Sequence, residues 1–102
     1  MSAPKQPVIL TPRARKDLSD IELYTAQQWG GQQRRVYMAK LEKALRDLAE
    51  FPELGRLRDD LAPGLRSYPA GDHIIYYRAN AASIMIVRVL HRRMDSGMVR
   101  DL

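Results

Sequence analysis

Between residues 65 and 91 the chain reads as three strands joined by two tight turns, and the rest must fold around them. Leu65-Arg66-Ser67-Tyr68 leads into the turn Pro69-Ala70-Gly71-Asp72. His73-Ile74-Ile75-Tyr76-Tyr77-Arg78 follows, then a second turn at Ala79-Asn80-Ala81-Ala82, then Ser83-Ile84-Met85-Ile86-Val87-Arg88-Val89-Leu90-His91. The last two runs are rich in β-branched and aromatic residues, which fit a pleated, half-buried surface. Pro69 fixes φ, Gly71 can take a positive φ, and Asp72 and Asn80 can bond their own backbone, so each supplies a turn. The run 84–90 is apolar at nearly every position. Both of its faces should be covered, which makes it a central strand.

The residues before this stretch alternate between helix signals and stops. Residues 1–7 are a loose polar arm, and Val8-Ile9-Leu10 is a short first strand that must pair at the sheet edge over long range. Thr11 can cap a helix and Pro12 suits its first position. Ala14, Leu18, Ile21, Thr25 and Trp29 then recur at helical spacing and predict one buried stripe. Gly30-Gly31 ends that helix. A second helix is predicted over residues 32–51, with a stripe of Val36 or Tyr37, then Leu41, Ala44, Leu45, Leu48 and Ala49. Pro52 stops it, because the residue before a proline avoids the helical region. Residues 53–64 read as a loop and residues 96–102 as a short tail. The order β-α-α-β-β-β predicts an α+β fold, an antiparallel sheet with an N-terminal helical hairpin packed on one face. The other face is then free for partners.

Length and composition narrow the function classes. The 102 residues suit a single domain, 1–102. The chain has no cysteine and two histidines, which argues against a disulfide framework and against an all-protein metal site. No apolar run approaches the roughly 20 residues that span a bilayer, and residues 1–7 lack a secretory signal. The expected location is therefore the cytoplasm. A formal charge of +5, from 17 Lys+Arg against 12 Asp+Glu, favours an anionic partner, either nucleic acid or an acidic protein.

Several segments carry a family likeness in their order and spacing. They are Leu10-Thr11, then Ala14, Asp17, Leu18, Ile21 and Tyr24, then Trp29-Gly30 and Leu48-Ala49-Glu50-Phe51-Pro52-Glu53-Leu54-Gly55. The densest are Pro63-Gly64-Leu65-Arg66-Ser67, the run 73–78, and Ile86-Val87-Arg88-Val89-Leu90-His91 with Asp95. Together they resemble the ParE toxins of type II toxin–antitoxin modules, within the RelE/ParE superfamily, over nearly the whole chain. The resemblance implies a cytoplasmic toxin of the plasmid-stabilisation kind, held inactive by a cognate ParD-like antitoxin in a hetero-oligomer. ParE members inhibit DNA gyrase, whereas RelE members cleave messenger RNA on the ribosome. Three readings follow: a binder of gyrase or a related topoisomerase, a RelE-like ribosome-dependent endoribonuclease, and an inactive antitoxin-binding module. None needs a cofactor, metal or membrane. The first expects no sequence-specific nucleic-acid binding by the toxin alone.

A nuclease needs a base, an acid and a cation at one phosphate. Arg66, Arg78 and Arg88 can supply the cation, with Arg66, Arg88 and His91 the catalytic set in that reading. Some RNA-cleaving relatives carry a Tyr after the equivalent of His91, and here that residue is Arg92. The gyrase reading therefore leads, with no catalytic residue and with Arg66, Arg78, Arg92 and Arg93 as contacts for target or antitoxin. Arg92-Arg93 is the favoured exposed pair. If Ala79 pairs with Ala82, His73 and His91 point to opposite faces and cannot cooperate, although a one-residue bulge reverses that parity. A turn pairing Pro69 with Asp72 puts Arg66 with Ile75, Tyr77, Ile86 and Arg88; a three-residue turn puts it with Tyr76, Arg78 and His91. The sequence leaves both registers open. His91 reads first as a strand-end residue. Arg66 divides evenly between an ion pair with Asp59 or Asp60 and a partner contact. Tyr24 and Trp29 read as packing, and at least one of Tyr76 and Tyr77 as core.

Overall fold

A two-helix hairpin lies on one face of a five-stranded sheet in the computed structural model, which describes residues 6–94 and 96–99. The elements are β1 (Val8–Leu10), α1 (Pro12–Trp29), α2 (Gly31–Glu50), β2 (Arg56–Leu57), β3 (Arg66–Ala70), β4 (His73–Ala79) and β5 (Ile84–His91), followed by a 3₁₀ turn, Ser96–Val99. The strands lie in the order β1-β5-β4-β3-β2. The fold is α+β, as predicted. The sheet, however, is mixed and has five strands, because β1 runs parallel to β5. α1 continues past β1 alongside β5, where Asp17 reaches the Val89 N–H, and α2 returns to the starting end of β1, where the Ala49 carbonyl accepts the Gln6 N–H at 3.2 Å. The helical hairpin thus lies in the long crossover that a parallel neighbour requires. The additional strand is β2, two residues inside the stretch expected to be loop, paired antiparallel to β3.

α1 begins as its first residues dictate. The Thr11 hydroxyl accepts the Ala14 N–H at 3.1 Å and donates to the Val87 carbonyl at 2.9 Å, so one side chain caps the helix and ties it to β5. Ala14, Ile21 and Thr25 are buried and Leu18 packs beside them, but Trp29, the helix's last residue, is 70 % exposed. That corrects the packing role expected of Trp29, and Tyr24 at 61 % exposure corrects the other. On α2 the stripe runs through Tyr37, not Val36, to Leu41, Ala44 and Leu48. Gly30, with φ of 90°, makes the reversal between the helices.

Both faces of the sheet carry a core. Under the helices, Leu41 and Leu48 meet Ile75, Tyr77, Ile84, Ile86 and Val89. On the opposite face Leu65, Tyr76, Val87 and Leu90 are covered by Val99 and by the partly buried Leu61 and Ala62. The face expected to be free is therefore closed over its middle, and part of the expected tail is core; residues 1–5, Asp95 and 100–102 lie outside the described residues. Tyr76 and Tyr77 are both core, on opposite faces. The Tyr77 hydroxyl donates to the Pro52 carbonyl and accepts the Gly55 N–H, each at 2.8 Å, which fixes the loop leaving α2.

The registers left open in the sequence resolve as follows. Ala70 pairs with His73 across a two-residue turn, and Arg66 stands opposite Tyr77. Ala79 pairs with Ile84, not Ala82, so residues 80–83 form a four-residue loop in which the Asn80 side chain accepts the N–H groups of Ala82 and Ser83. A bulge between Tyr76 and Tyr77 then leaves Val87 as one extra residue on β5. The longer loop preserves the parity and the bulge reverses it. His73 consequently pairs with His91, which overturns the expectation that they face opposite ways.

Candidate functional site

Of the cations named from the sequence, only Arg88 lines a cleft with the two histidines, and its guanidinium is engaged elsewhere. Arg88 leaves β5 beside the bulge and meets Asp17 of α1 in a fork, Nε to Oδ2 at 2.8 Å and Nη2 to Oδ1 at 2.9 Å. Asp17 Oδ2 also accepts the Val89 N–H at 2.9 Å, so the carboxylate covers backbone that β1 is too short to pair. Both side chains are nearly buried. The hydrogen bonds from Arg88 to Asp17 raise the guanidinium's already high pKa. The arrangement ties β5 to α1 and holds the Arg88 charge against the helix.

Arg66 is on β3, half-buried, and its Nη1 donates to the Gly55 carbonyl at 2.8 Å. Asp60, one of the acids expected to pair with it, binds Arg58 instead, and Asp59 accepts the Gly64 N–H. Arg66 stands opposite Tyr77 while His91 stands opposite His73, so four residues of β4 separate the two levels. That is roughly 13 Å at about 3.3 Å per residue. Arg78 lies near the same end of β4 as Arg66, paired with Met85. Arg92 and Arg93 follow β5 at the opposite end and are exposed. The Arg92 guanidinium is 3.9 Å from Asp72, a loose contact between two largely exposed groups, and the Arg92 N–H donates to the Asp72 carbonyl at 2.9 Å.

What the fold does assemble is a cluster of rings. His73 and His91 stack edge to face with centroids 5.3 Å apart, and Tyr37 of α2 lies 5.5 Å from His73. The Tyr37 hydroxyl is 2.5 Å from His73 Nδ1 and accepts the Asp72 N–H at 3.0 Å. Gly71 makes that approach possible: a Cβ there would stand 2.8 Å from the Tyr37 hydroxyl. Burial, and secondarily the neighbouring His91, hold the His73 imidazole below the usual histidine range. Burial also pushes the Tyr37 phenol up. The rings floor a cleft of about 360 Å³ whose walls are Tyr24, Thr25, Trp29 and Gln33. A second cleft of about 440 Å³ shares Tyr24, His73 and His91, includes Arg88 with its partner Asp17, and runs on to Met94. The sequence reading had no route to this cluster. The bulge that brings His73 to His91 leaves no residue signature, and Trp29 continues a regular apolar spacing. Its position directly before Gly30-Gly31, where a helix ends, was the one available sign that it would be exposed.

The hairpin and the sheet edge offer a separate surface. Val8 and Ile9 are exposed on edge strand β1. Beside them a groove of about 340 Å³ between the helices is lined by Leu10, Leu18, Leu23, Ala26 and Met38.

Comparison with known proteins agrees with the fold. Residues 8–96 match the profile of the family described as ParE toxin of the type II toxin–antitoxin system, parDE. The chain is 39% identical over 88 residues to Toxin ParE1 of Mycobacterium tuberculosis, covering 85% of this chain and 90% of that protein. Its fold is similar to a chain in the chromosomal ParDE system of P. aeruginosa, with a TM-score of 0.73 at 18% identity over 85% of this chain and 96% of that one. It is also similar to a chain of the RelBE2 toxin–antitoxin complex of Mycobacterium tuberculosis, with a TM-score of 0.64 at 30% identity over 87% of this chain and 100% of that one.

Proposed function

Because this chain belongs to the ParE toxin family of type II toxin–antitoxin systems, we propose that it acts by binding DNA gyrase or a closely related topoisomerase, in the cytoplasm, until a cognate ParD-like antitoxin neutralises it. One observation carries the choice of binding over chemistry. Arg88, although it lines a cleft with His73 and His91, has its guanidinium locked in a fork to Asp17, and Arg66 lies four residues of β4 away from the level of His91. A phosphorane needs its cation and its proton donors within hydrogen-bond reach of one another. The antitoxin reading draws support from the exposed β1 edge and the neighbouring apolar groove. An edge strand accepts an added strand, and a groove between helices accepts an amphipathic helix.

The endoribonuclease reading is second, and the specific observation in its favour is the pairing of His73 with His91. Two adjacent imidazoles can divide acid and base roles. Against it, the His91 Nδ1 already accepts the Arg93 N–H at 3.1 Å, the guanidinium of Arg88, which lines the same cleft, is bound in a fork to Asp17, and Arg92 and Arg93 leave the strand into a turn. Expression in a bacterium, with and without the neighbouring open reading frame, tests the proposal. Gyrase inhibition predicts broken DNA, an induced damage response and rescue by the co-expressed partner. Cut messenger RNA without DNA damage would transfer the protein to the nuclease reading.

A further inference from the structure

We propose that the cleft between Tyr24, Trp29 and the His73–His91 pair is the surface that grips the toxin's protein target, and that its occupant is a carboxylate-bearing segment flanked by apolar side chains. The inference rests on the binding reading above and names the surface that performs it.

Aromatic anchors come first. Tyr24 and Trp29, 61% and 70% exposed, are the two most exposed large apolar side chains among the described residues. Tyr and Trp are the residues most enriched among energetic hot spots at interfaces, because they bring large contact area with little conformational entropy. The floor between them is polar in one particular sense. The His91 Nδ1 accepts the Arg93 N–H, so the neutral ring carries its proton on Nε2. The Tyr37 hydroxyl accepts the Asp72 N–H and has its own proton available for His73 Nδ1, an arrangement that goes with the His73 proton on Nε2. His91 is thereby an N–H donor on its remaining nitrogen, and His73 is one too in the tautomer that accepts the Tyr37 proton.

The surrounding acids do not compete for those donors. Asp17 is held by Arg88 and Asp20 by Lys16. Asp72, on the rim, leans toward Arg92. Arg92 and Arg93 are exposed beside it, and the chain as a whole carries +5. Donors, cations and aromatic faces together complement an acceptor-only group with apolar neighbours, and a carboxylate is acceptor-only. No residue lines both this cleft and the groove between the helices. At about 100° per residue, Tyr24 leaves α1 on the side opposite Leu18, Glu22 and Ala26 of the groove, whereas Trp29 leaves it on their side, one turn beyond Ala26 at the helix end.

Trp29 is the chain's sole tryptophan, so its fluorescence reports this cleft directly. The test titrates purified protein with a short peptide alternating Glu and Leu, with its Gln–Leu and Lys–Leu counterparts, and with a single-stranded oligonucleotide. The expected result is a saturable change with the Glu–Leu peptide, at least about tenfold weaker binding of the Gln–Leu peptide, and no response to Lys–Leu. Tyr24→Ala and His91→Leu should each weaken the Glu–Leu response by about tenfold, while His91→Gln, which keeps an N–H donor and an acceptor, should retain it. No response, an equal response to all three peptides, or tighter binding of the oligonucleotide overturns the proposal, whether or not the protein inhibits growth. In cells, Tyr24→Ala with Trp29→Ala should abolish growth inhibition and still co-purify with the antitoxin. Loss of antitoxin binding in that variant would also overturn it, by giving the cleft to the antitoxin. A wild-type protein that does not inhibit growth but passes the titration would refute only the toxin reading.

Discussion

Replacing Asp17 with Ala should be among the most damaging single changes in this protein, although Asp17 lies on a helix that faces solvent for much of its length. Its carboxylate accepts three hydrogen bonds at 2.8 to 2.9 Å, two from Arg88 and one from the Val89 N–H. The two side chains are only 13% and 12% exposed, so water cannot replace the lost partner well. Removing one member of such a pair costs about 3–5 kcal/mol, because the other charge is left dry. Small domains are stable by about 5–15 kcal/mol, so Asp17→Ala should lower the melting temperature by about 12 °C or more. The double variant Asp17→Leu with Arg88→Met removes both charges and leaves only the Val89 N–H unpaired, a cost of about 1–3 kcal/mol. Urea unfolding followed by far-UV circular dichroism measures both. The stable double variant should still inhibit bacterial growth, since Arg88 serves the fold. A loss below about 1 kcal/mol for Asp17→Ala, the range of an exposed ion pair, would refute the reasoning. So would a double variant no more stable than the single one.

Other outcomes follow from the same contacts. Gly55→Ala should cost about 1–3 kcal/mol, read by the same unfolding curves, because its Cβ would stand 2.5 Å from the Tyr77 hydroxyl, which is itself bonded to Gly55 and Pro52. His73 titrates below the unfolded histidine value, chiefly through burial. The unfolded chain therefore binds the proton first. The associated stability is fully present above the ordinary value of about 6.5 and falls as pH drops from there through the folded value. Thermal melts across this range should show that slope in the wild type and a shallower one in His73→Asn. Arg92→Ala with Arg93→Ala should weaken growth inhibition while shifting stability by no more than about 0.5 kcal/mol, checked by plating and circular dichroism together. His91→Gln should remain toxic if the fold survives.

The sequence made much of the fold legible where local chemistry repeats. Thr11-Pro12, Gly30 and Pro52 mark the helix limits because each acts through its own backbone. The stripe through Leu41, Ala44 and Leu48 follows from helical spacing alone. Between Val36 and Tyr37 the spacing could not choose, since both neighbour the stripe; the choice is made by His73 and Asp72, which arrive from a distant strand to meet the Tyr37 hydroxyl. Arg56–Leu57 is too short for alternation to register, and the three residues of β1 carry no local sign of the direction in which they pair with β5. The single extra residue at Val87 has no signature either, yet it alone turns His73 toward His91. Of the candidate contacts, Arg92 and Arg93 were legible as exposed because they follow the last strand. The roles of Arg66 and Arg88 were not, because Gly55 and Asp17 are brought to them only by tertiary packing.

The central claim is that this chain harms its cell by binding a topoisomerase and not by cutting RNA. The most direct measurement adds the purified protein to DNA gyrase and relaxed plasmid with ATP, and in parallel to ribosomes carrying a messenger. The account predicts loss of supercoiling or accumulation of cleaved plasmid, reversed by the purified antitoxin, with the messenger intact. Unaffected supercoiling together with a messenger cut on the ribosome would contradict it.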